Sequence, residues 1–295
     1  MSPTIDIIRH AQAAHNIIGS DLRDPSLTED GVEECDLLRE RYPFGHYVTH
    51  FLSSPMKRTI ETAVCGIKPL VKDSIKITLL PELQEVNATP SGTGTPKSIL
   101  RGLYGPGMLD MTALDEDWYI KSPGTAFEPL PNKVEARARL ARALIRKIAR
   151  AAAAQDEHAH VVVVTHGEFA HWLTEDFVGI DLKWNTNWAN AECRPYRFLD
   201  LYGPDDDNAT LVEKYPRVNP MTGIRPTAED QIIGKKAATM KVQIHAKNVI
   251  RHEERKRKER KEKEKAKKRA EIKKEDSKRA GAKQEGEDEW VDVDD

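Results

Sequence analysis

The 295-residue sequence lacks the features that mark membrane-spanning, secreted and metal-cluster proteins. No apolar run is longer than the four residues of Val161 to Val164, against the roughly 18 that a spanning helix needs. The first residues, MSPTIDIIRH, show no basic stretch followed by a long apolar one, so no secretory signal is expected. Three cysteines, Cys35, Cys65 and Cys193, stand far apart with no CxxC pair, which fits a reducing compartment and argues against a disulfide scaffold or zinc cluster. Each reads as a small core hydrophobe rather than a nucleophile, since none sits in a basic cluster. Aromatics make up only 6%.

Charge of one sign is missing only on average. The net charge of -2 combines residues 1–233, with 25 Lys+Arg against 33 Asp+Glu, and residues 234–295, with 21 against 15. An acidic first part is therefore joined to a basic second part.

Along the first ~225 residues, strand and helix signals alternate, which predicts a three-layer α/β/α sandwich on a mostly parallel central sheet. Ile5–Ile8, Phe51–Ser53, Ile75–Leu79 and Arg197–Leu201 read as strands. Val161–Val164, apolar on both faces, reads as the buried central strand. Helices are expected over Thr28–Arg41 (stripe Val32, Cys35, Leu37, Leu38), Lys57–Gly66, Pro131–Ala154 (stripe Val134, Ala138, Ala141, Leu144, Ile145, Ile148) and Phe169–Phe177. Residues 87–131, rich in Gly and Pro, are expected to be irregular. From 226 to 295 the composition changes to Lys, Arg and Glu and ends in the acidic EGEDEWVDVDD. Its faint stripe, Met240, Ile244 and Val249, is too weak to dock on a core, so a solvated helix or disorder is expected.

Chemistry-bearing residues fall just past the strand signals, where reactive groups of α/β sheets gather. Arg9-His10 follows the first strand, Ser54-Pro55-Met56-Lys57-Arg58-Thr59 follows Phe51–Ser53, and Thr165-His166-Gly167 follows the central strand. If those strands are parallel neighbours, their ends form one cationic pocket suited to a phosphoryl group. Glu85, beyond Ile75–Leu79, supplies a carboxyl group able to protonate a leaving oxygen. A lone Arg-His pair would read as ordinary surface; the coincidence of several strand ends weighs against that reading.

These residues resemble the histidine phosphatase superfamily, in its phosphoglycerate mutase-like branch. IIRHAQAAHN is similar to the family's RHG-type motif, with Arg9, His10 and Asn16 at matching places. Asp24–Gly31 resembles its D-P-x-L-T-x-x-G stretch, Ser53–Ala63 its S-S-P-x-x-R-x-x-x-T-A segment, Leu83-Gln84-Glu85 its L-x-E, and Val163–Gly167 the segment with the second histidine. Together they cover about residues 3 to 202, in the family's order. The resemblance implies a catalytic set of His10, Glu85 and His166. His10 would attack phosphorus and carry a phosphohistidine, and Glu85 would serve as acid then base. Arg9, Arg58 and His166 would hold the phosphoryl oxygens with Asn16, with no metal and no cofactor. Ala11 stands where the family usually has Gly. Val86-Asn87-Ala88 stands where its mutases continue with His-Tyr-Gly, so a mutase clamp is not visible.

The insertion 87–131 would lie over the pocket mouth by family analogy. It offers Lys97, Arg101, Tyr104, Trp118 and Lys121 as substrate contacts, although each reads equally as an ordinary loop residue. His15 is either a substrate contact or a loop histidine; His171 and Trp172 read as core; His46, His50, His158 and His160 read as solvent-side. The 234–280 run reads as a helix laced by pairs such as Glu259 with Lys263, as a nuclear-localisation or nucleic-acid patch, or as an arm that closes on the acidic part. Interspersed Glu and the lack of aromatics for base stacking favour the first.

The expectation is therefore a phosphatase acting on a small phosphomonoester, placed in the cytoplasm with the nucleus as the alternative and no membrane partner. The rivals are a mutase-type transfer and a non-catalytic scaffold or nucleic-acid-associated protein working through its tail.

Overall fold

The computed structural model describes residues 2–180, 187–204, 209–216 and 225–287, the expected acidic end from residue 288 onward lying outside them. Among the described residues one sheet is built from β1 (Thr4–Arg9), β2 (Val48–Ser53), β3 (Ile77–Leu79), β4 (Leu109–Asp110), β5 (His160–Thr165), β6 (Cys193–Phe198) and β7 (Leu211–Glu213). Its order is β4-β3-β2-β5-β1-β6-β7, parallel from β4 to β1 and antiparallel at β1–β6 and β6–β7. The helices are α1 (His15–Ile18), α2 (Glu29–Arg41), α3 (Lys57–Thr62), α4 (Lys97–Tyr104), α5 (Pro131–Gln155), α6 (Gly167–Thr174) and α7 (Ala228–Glu287). The expected α/β architecture is present. No described helix is long and apolar enough to cross a membrane.

Strand β5 explains the layering. Successive side chains of a strand point to opposite faces. Val161 and Val163 join Ile5, Ile7, Val134, Ile145 and Phe169 in one core, whereas Val162 and Val164 join Ile8, Leu38, Phe51 and Ile60 in the other. Helices α5 and α6 thus cover one face, and α2 and α3 the other.

Several local expectations are corrected. The buried face of α2 is Gly31, Cys35 and Leu38, while Val32 and Leu37 are 44% and 47% exposed. The helix read over Lys57–Gly66 is α-helical only to Thr62 and widens into a π-helical turn over Ala63–Ile67. The third strand begins at Ile77 rather than Ile75. The 87–131 insertion contains α4 and β4, and Leu100, Leu114 and Trp118 enter the core. His160 is buried rather than solvent-side, its Nδ1 2.5 Å from Asp6 Oδ2, where Tyr42 also donates at 2.6 Å.

The largest correction concerns α7. The chain divides into one compact unit, Met1–Lys247, and a second, Asn248–Asp295, so residues 226–247 pack with the first rather than with the tail. Ala238 and Val242 of α7 are fully buried in the first core, whereas Met240 and Ile244 of the expected stripe are 51% and 49% exposed. A small residue lets the helix approach: a Cβ at Gly234 would lie 1.8 Å from Phe177 O. His245 and Lys241 are also buried on that face, and His245 Nε2 lies 3.3 Å from Glu168 Oε2. In the second unit, residues 248–272 are exposed apart from a half-buried Val249, and Arg255–Glu259 and Lys268–Glu264 pair along the helix at 3.8 and 3.6 Å.

Gly31 and Thr28 join α2 to the loop after β1. Thr28 caps α2 by accepting from Gly31 N at 3.0 Å and donates to Gln12 Oε1 at 2.7 Å. A Cβ on Gly31 would fall 2.0 Å from Gln12 O. We expect Gly31→Ala to cost about 1–3 kcal/mol, the usual range for overpacking, and to lower the melting temperature more than Thr28→Ala, worth about 1 kcal/mol as a lost cap. A melting curve for Gly31→Ala that matches the parent would refute this packing account. The docked start of α7 makes a second prediction. A chain ending after Lys247 keeps the parent's melting temperature, whereas one ending after Thr227 melts lower because Glu168 loses His245 and the core loses Ala238 and Val242. Equal melting of the two truncations would show that the docking contributes nothing.

Candidate active site

The parallel ladder runs one residue past the strands and so fixes the site. His10 N donates to Thr165 O at 2.9 Å, Ser54 N to Val164 O at 2.9 Å, and Leu80 N to Ser53 O at 3.0 Å. Since β1, β5, β2 and β3 are successive neighbours, the residues that follow them sit side by side at one sheet edge. The condition set by the sequence, that the motif-bearing strands be parallel neighbours, is met.

The hydrogen bonds assign both central histidines. His10 is 2% exposed and its Nδ1 lies 2.7 Å from Ala11 O. A carbonyl only accepts, so Nδ1 carries the hydrogen and Nε2 carries the lone pair. His166 is fully buried, with Nδ1 3.0 Å from Arg58 Nη2 and Nε2 2.8 Å from Ser54 Oγ. A guanidinium only donates, so Nδ1 accepts and Nε2–H donates to Ser54. The His10 and His166 rings lie 5.3 Å apart, and the His15 ring stands 5.5 Å from that of His10.

Two guanidinium groups complete the cluster. Arg58 is fully buried and gives Nη1 to Ser91 O at 2.9 Å. Arg9 gives Nη1 to Trp188 O. Burial holds both below the usual guanidinium range, and the carboxylate that most offsets this for each is Glu85. Neither makes an ion pair within 4 Å among the described residues, so their charge remains for a ligand. Burial and the charges of Arg58 and Arg9 push His10 well below its ordinary proton affinity. Burial, Arg58 and His10 do the same to His166. His15 is pushed down to about 3 by burial, Arg58 and Arg9. All three imidazoles are neutral near pH 7.

Glu85 is buried, and its Oε1 accepts from Val86 N at 2.8 Å. Asn16 is placed differently from the other site residues: it is exposed on α1, and its Oδ1 accepts from Ala13 N at 3.0 Å. Only its amide NH2 is left for a ligand. Ala11 is buried outside the left-handed backbone region, so the usual glycine is not needed there. Of the insertion residues, Lys97 is bound to Leu114 O at 2.6 Å and Trp118 to Thr95 O at 3.0 Å, while Arg101 is exposed. Among the described residues no three His, Cys, Asp or Glu side chains are grouped to hold a metal ion. Burial pushes the Cys35 thiol up to about 12, which agrees with its reading as core.

Sequence reading missed the groups that hold this machinery. Thr62 Oγ1 accepts from Ala11 N at 2.9 Å while donating to Arg58 O at 2.7 Å, tying the loop after β1 to α3. Asp24, buried with φ of 41°, accepts from Lys57 N at 3.0 Å and Thr95 Oγ1 at 2.7 Å. Both lay inside stretches noted in the sequence, but only their neighbours there carried obvious chemistry. Arg137 carried a signal: it falls three residues after Val134 on the buried stripe of α5, an odd place for a charge unless it has a partner.

The neutral imidazoles give a pH prediction. Their folded proton affinities lie below the unfolded value of about 6.5, so below that pH the unfolded chain binds more protons and stability falls. The slope approaches ~1.4 kcal/mol per pH unit for each such histidine. His15→Asn should therefore flatten the decline in melting temperature between pH 6.5 and 5 without removing it. An unchanged slope in that variant would show that His15 titrates normally.

No curated protein matches the chain in sequence. Among solved structures it is similar to the ecdysone phosphate phosphatase of Bombix mori in complex with tungstate, with TM-score 0.48 and 17% identity, covering 76% of this chain and 98% of that one. It is similar to the native mycobacterial glucosyl-3-phosphoglycerate phosphatase, with TM-score 0.44 and 20% identity, covering 72% and 98%. It is also similar to YhfR of Bacillus stearothermophilus, with TM-score 0.44 and 18% identity, covering 72% and 96%. The model of the histidine phosphatase superfamily, branch 1, matches residues 5–199, from β1 through the end of β6, and the chain belongs to that superfamily.

Proposed function

We propose that the protein is a phosphatase that hydrolyses a small phosphomonoester through a phosphohistidine at His10. The observation that carries this reading is the His10 tautomer: Nδ1–H is fixed on Ala11 O, which leaves the Nε2 lone pair in a pocket with two guanidinium groups and no ion-paired carboxylate.

Nε2 attacks phosphorus, an N–P bond forms, and the bond from phosphorus to the ester oxygen breaks. The departing oxygen takes a proton from Glu85. Arg9 and Arg58, already desolvated and oriented, face the charge that grows on the non-bridging oxygens with little reorganisation, and His166 joins them when its Nε2–H passes from Ser54 Oγ to a phosphoryl oxygen. Glu85 then removes a proton from water, which attacks phosphorus; the N–P bond breaks and inorganic phosphate leaves. Asn16 adds its amide NH2 at the rim.

Val86, directly after the acid, is buried and apolar. It offers no donor to a second substrate, which favours transfer to water over transfer to another alcohol. The test is turnover of p-nitrophenyl phosphate and sugar phosphates by the parent and by His10→Ala. We expect a loss of at least about 10³-fold in kcat for a removed nucleophile and, in the parent alone, a trapped acid-labile, alkali-stable phosphoenzyme. Equal turnover by the two proteins would overturn the assignment, and dependence on a bisphosphorylated primer would replace hydrolysis with mutase-type transfer.

A further inference from the structure

The segment that carries Glu85 is held by its backbone in an unusual way. Leu83 O accepts from Thr165 Oγ1 at 2.8 Å, Gln84 O from Arg137 Nη1 at 2.9 Å, and Glu85 O from Lys121 Nζ at 2.7 Å. Three consecutive carbonyls are thus gripped by side chains from three separate places: the end of β5, the first turns of α5, and the insertion. Thr165 precedes His166, and the Arg137 guanidinium lies 4.4 Å over the ring of Phe169 on α6, so two of the grips refer the acid to the second histidine's own strand and helix.

Lys121 supplies the third grip and does more. It is 4% exposed, and its ammonium also donates to Asn87 O at 2.8 Å and Gly92 O at 2.7 Å. An ammonium has three protons, and all three are used on main-chain carbonyls of one loop. No carboxylate lies within ion-pair distance of Nζ among the described residues, so this charge is not half of a salt bridge. Burying a lysine is costly unless its charge is well solvated, and here carbonyl dipoles replace water. The far end of the loop has other anchors: Ser91 N donates to Ser20 O at 3.0 Å, and Gly92 N to Thr89 O at 2.9 Å. At the near end, among the described residues, Glu85 has only its own Oε1 bond to Val86 N and the Lys121 grip on its carbonyl. Loss of Lys121 therefore frees the acid more than it frees Ser91, the carbonyl partner of Arg58.

We propose that Lys121 is a positioning residue for the general acid: from the insertion, through the carbonyls of Glu85, Asn87 and Gly92, it sets the Glu85 carboxyl against the leaving oxygen. This rests on the reading of Glu85 as acid. It assigns Lys121 a task other than substrate contact and makes the insertion a part of the catalytic geometry.

The test uses two esters of similar shape. p-Nitrophenyl phosphate releases a stabilised phenolate that needs little protonation, whereas benzyl phosphate releases an alkoxide that needs the acid. For Lys121→Met we expect kcat on benzyl phosphate to fall about 10- to 100-fold, with a loss on p-nitrophenyl phosphate below about threefold and both KM values nearly unchanged, since general acid catalysis is worth about 10²–10⁴. Glu85→Gln should show the same selectivity more strongly. Lys121→Arg keeps charge and bulk in the fold, but its planar fork cannot gather three carbonyls around one nitrogen, so it should show the selective loss to a smaller degree. Equal losses on the two esters in both Lys121 variants, with Glu85→Gln selective, overturn the positioning role and leave the acid in place. Absence of selectivity in Glu85→Gln overturns the acid assignment itself, and the proposal with it.

Discussion

The four valines of β5 have protein on both faces, and this places β5 between β1 and β2 at the middle of the sheet. Because both neighbours run parallel to it, the three strands end at the same edge, and their hydrogen bonding continues into the first residue beyond. His10, Ser54 and His166 are therefore set by main-chain bonds before any side chain acts. A one-residue slip of β1 against β5 would turn Ile5 and Ile7 out of one core and Ile8 out of the other, so the hydrophobic register guards the catalytic one. Stability and chemistry depend on the same ladder.

From that edge the side chains form a directional series. Arg58 donates to His166 Nδ1, which requires His166 to donate from Nε2 to Ser54. Thr62 donates to the carbonyl of Arg58 and accepts from Ala11, whose own carbonyl fixes the His10 tautomer. Proton positions on both histidines thus follow from donors that cannot act as acceptors. The attack proposed for His10 needs no base to deprotonate it, because burial and the nearby cations already keep its Nε2 bare.

Much of this was legible in the letters, for a physical reason. Arg9, His10, Arg58, Glu85 and His166 follow strands whose apolar runs are plain, and a strand end in a parallel sheet is a place of known use. The supports were harder to see. Thr62 and Lys121 act through main-chain groups, which leave no trace in side-chain type. The α7 docking face was misread because periodicity favours large apolar residues, whereas close helix approach selects Gly234 and Ala238. Met240 and Ile244 form the more conspicuous stripe and face outward. Asn16 matched a motif position, yet its carbonyl oxygen is spent on the turn at Ala13.

The buried charges show how a cationic pocket can sit in an acidic first part of the chain. Burial by itself would raise the proton affinity of Glu168, next to the second histidine, but the hydrogen bond and charge of His245, with Lys241, hold it below the usual carboxylate range. Arg137 is pushed down to about 10 by burial, with Glu85, Glu82 and Glu168 opposing. Arg9 and Arg58 face the carbonyls of Trp188 and Ser91, and their charge is offset only at a distance, Arg9 by Glu85, Glu34 and Glu192 and Arg58 by Glu85 and Asp24. In the proposed function a doubly charged phosphoryl group supplies the missing partner, since no carboxylate among the described residues reaches ion-pair distance of either guanidinium. In the proposed reading, two cations without an ion-paired carboxylate, more than the net charge of either segment, suit the site to a dianion.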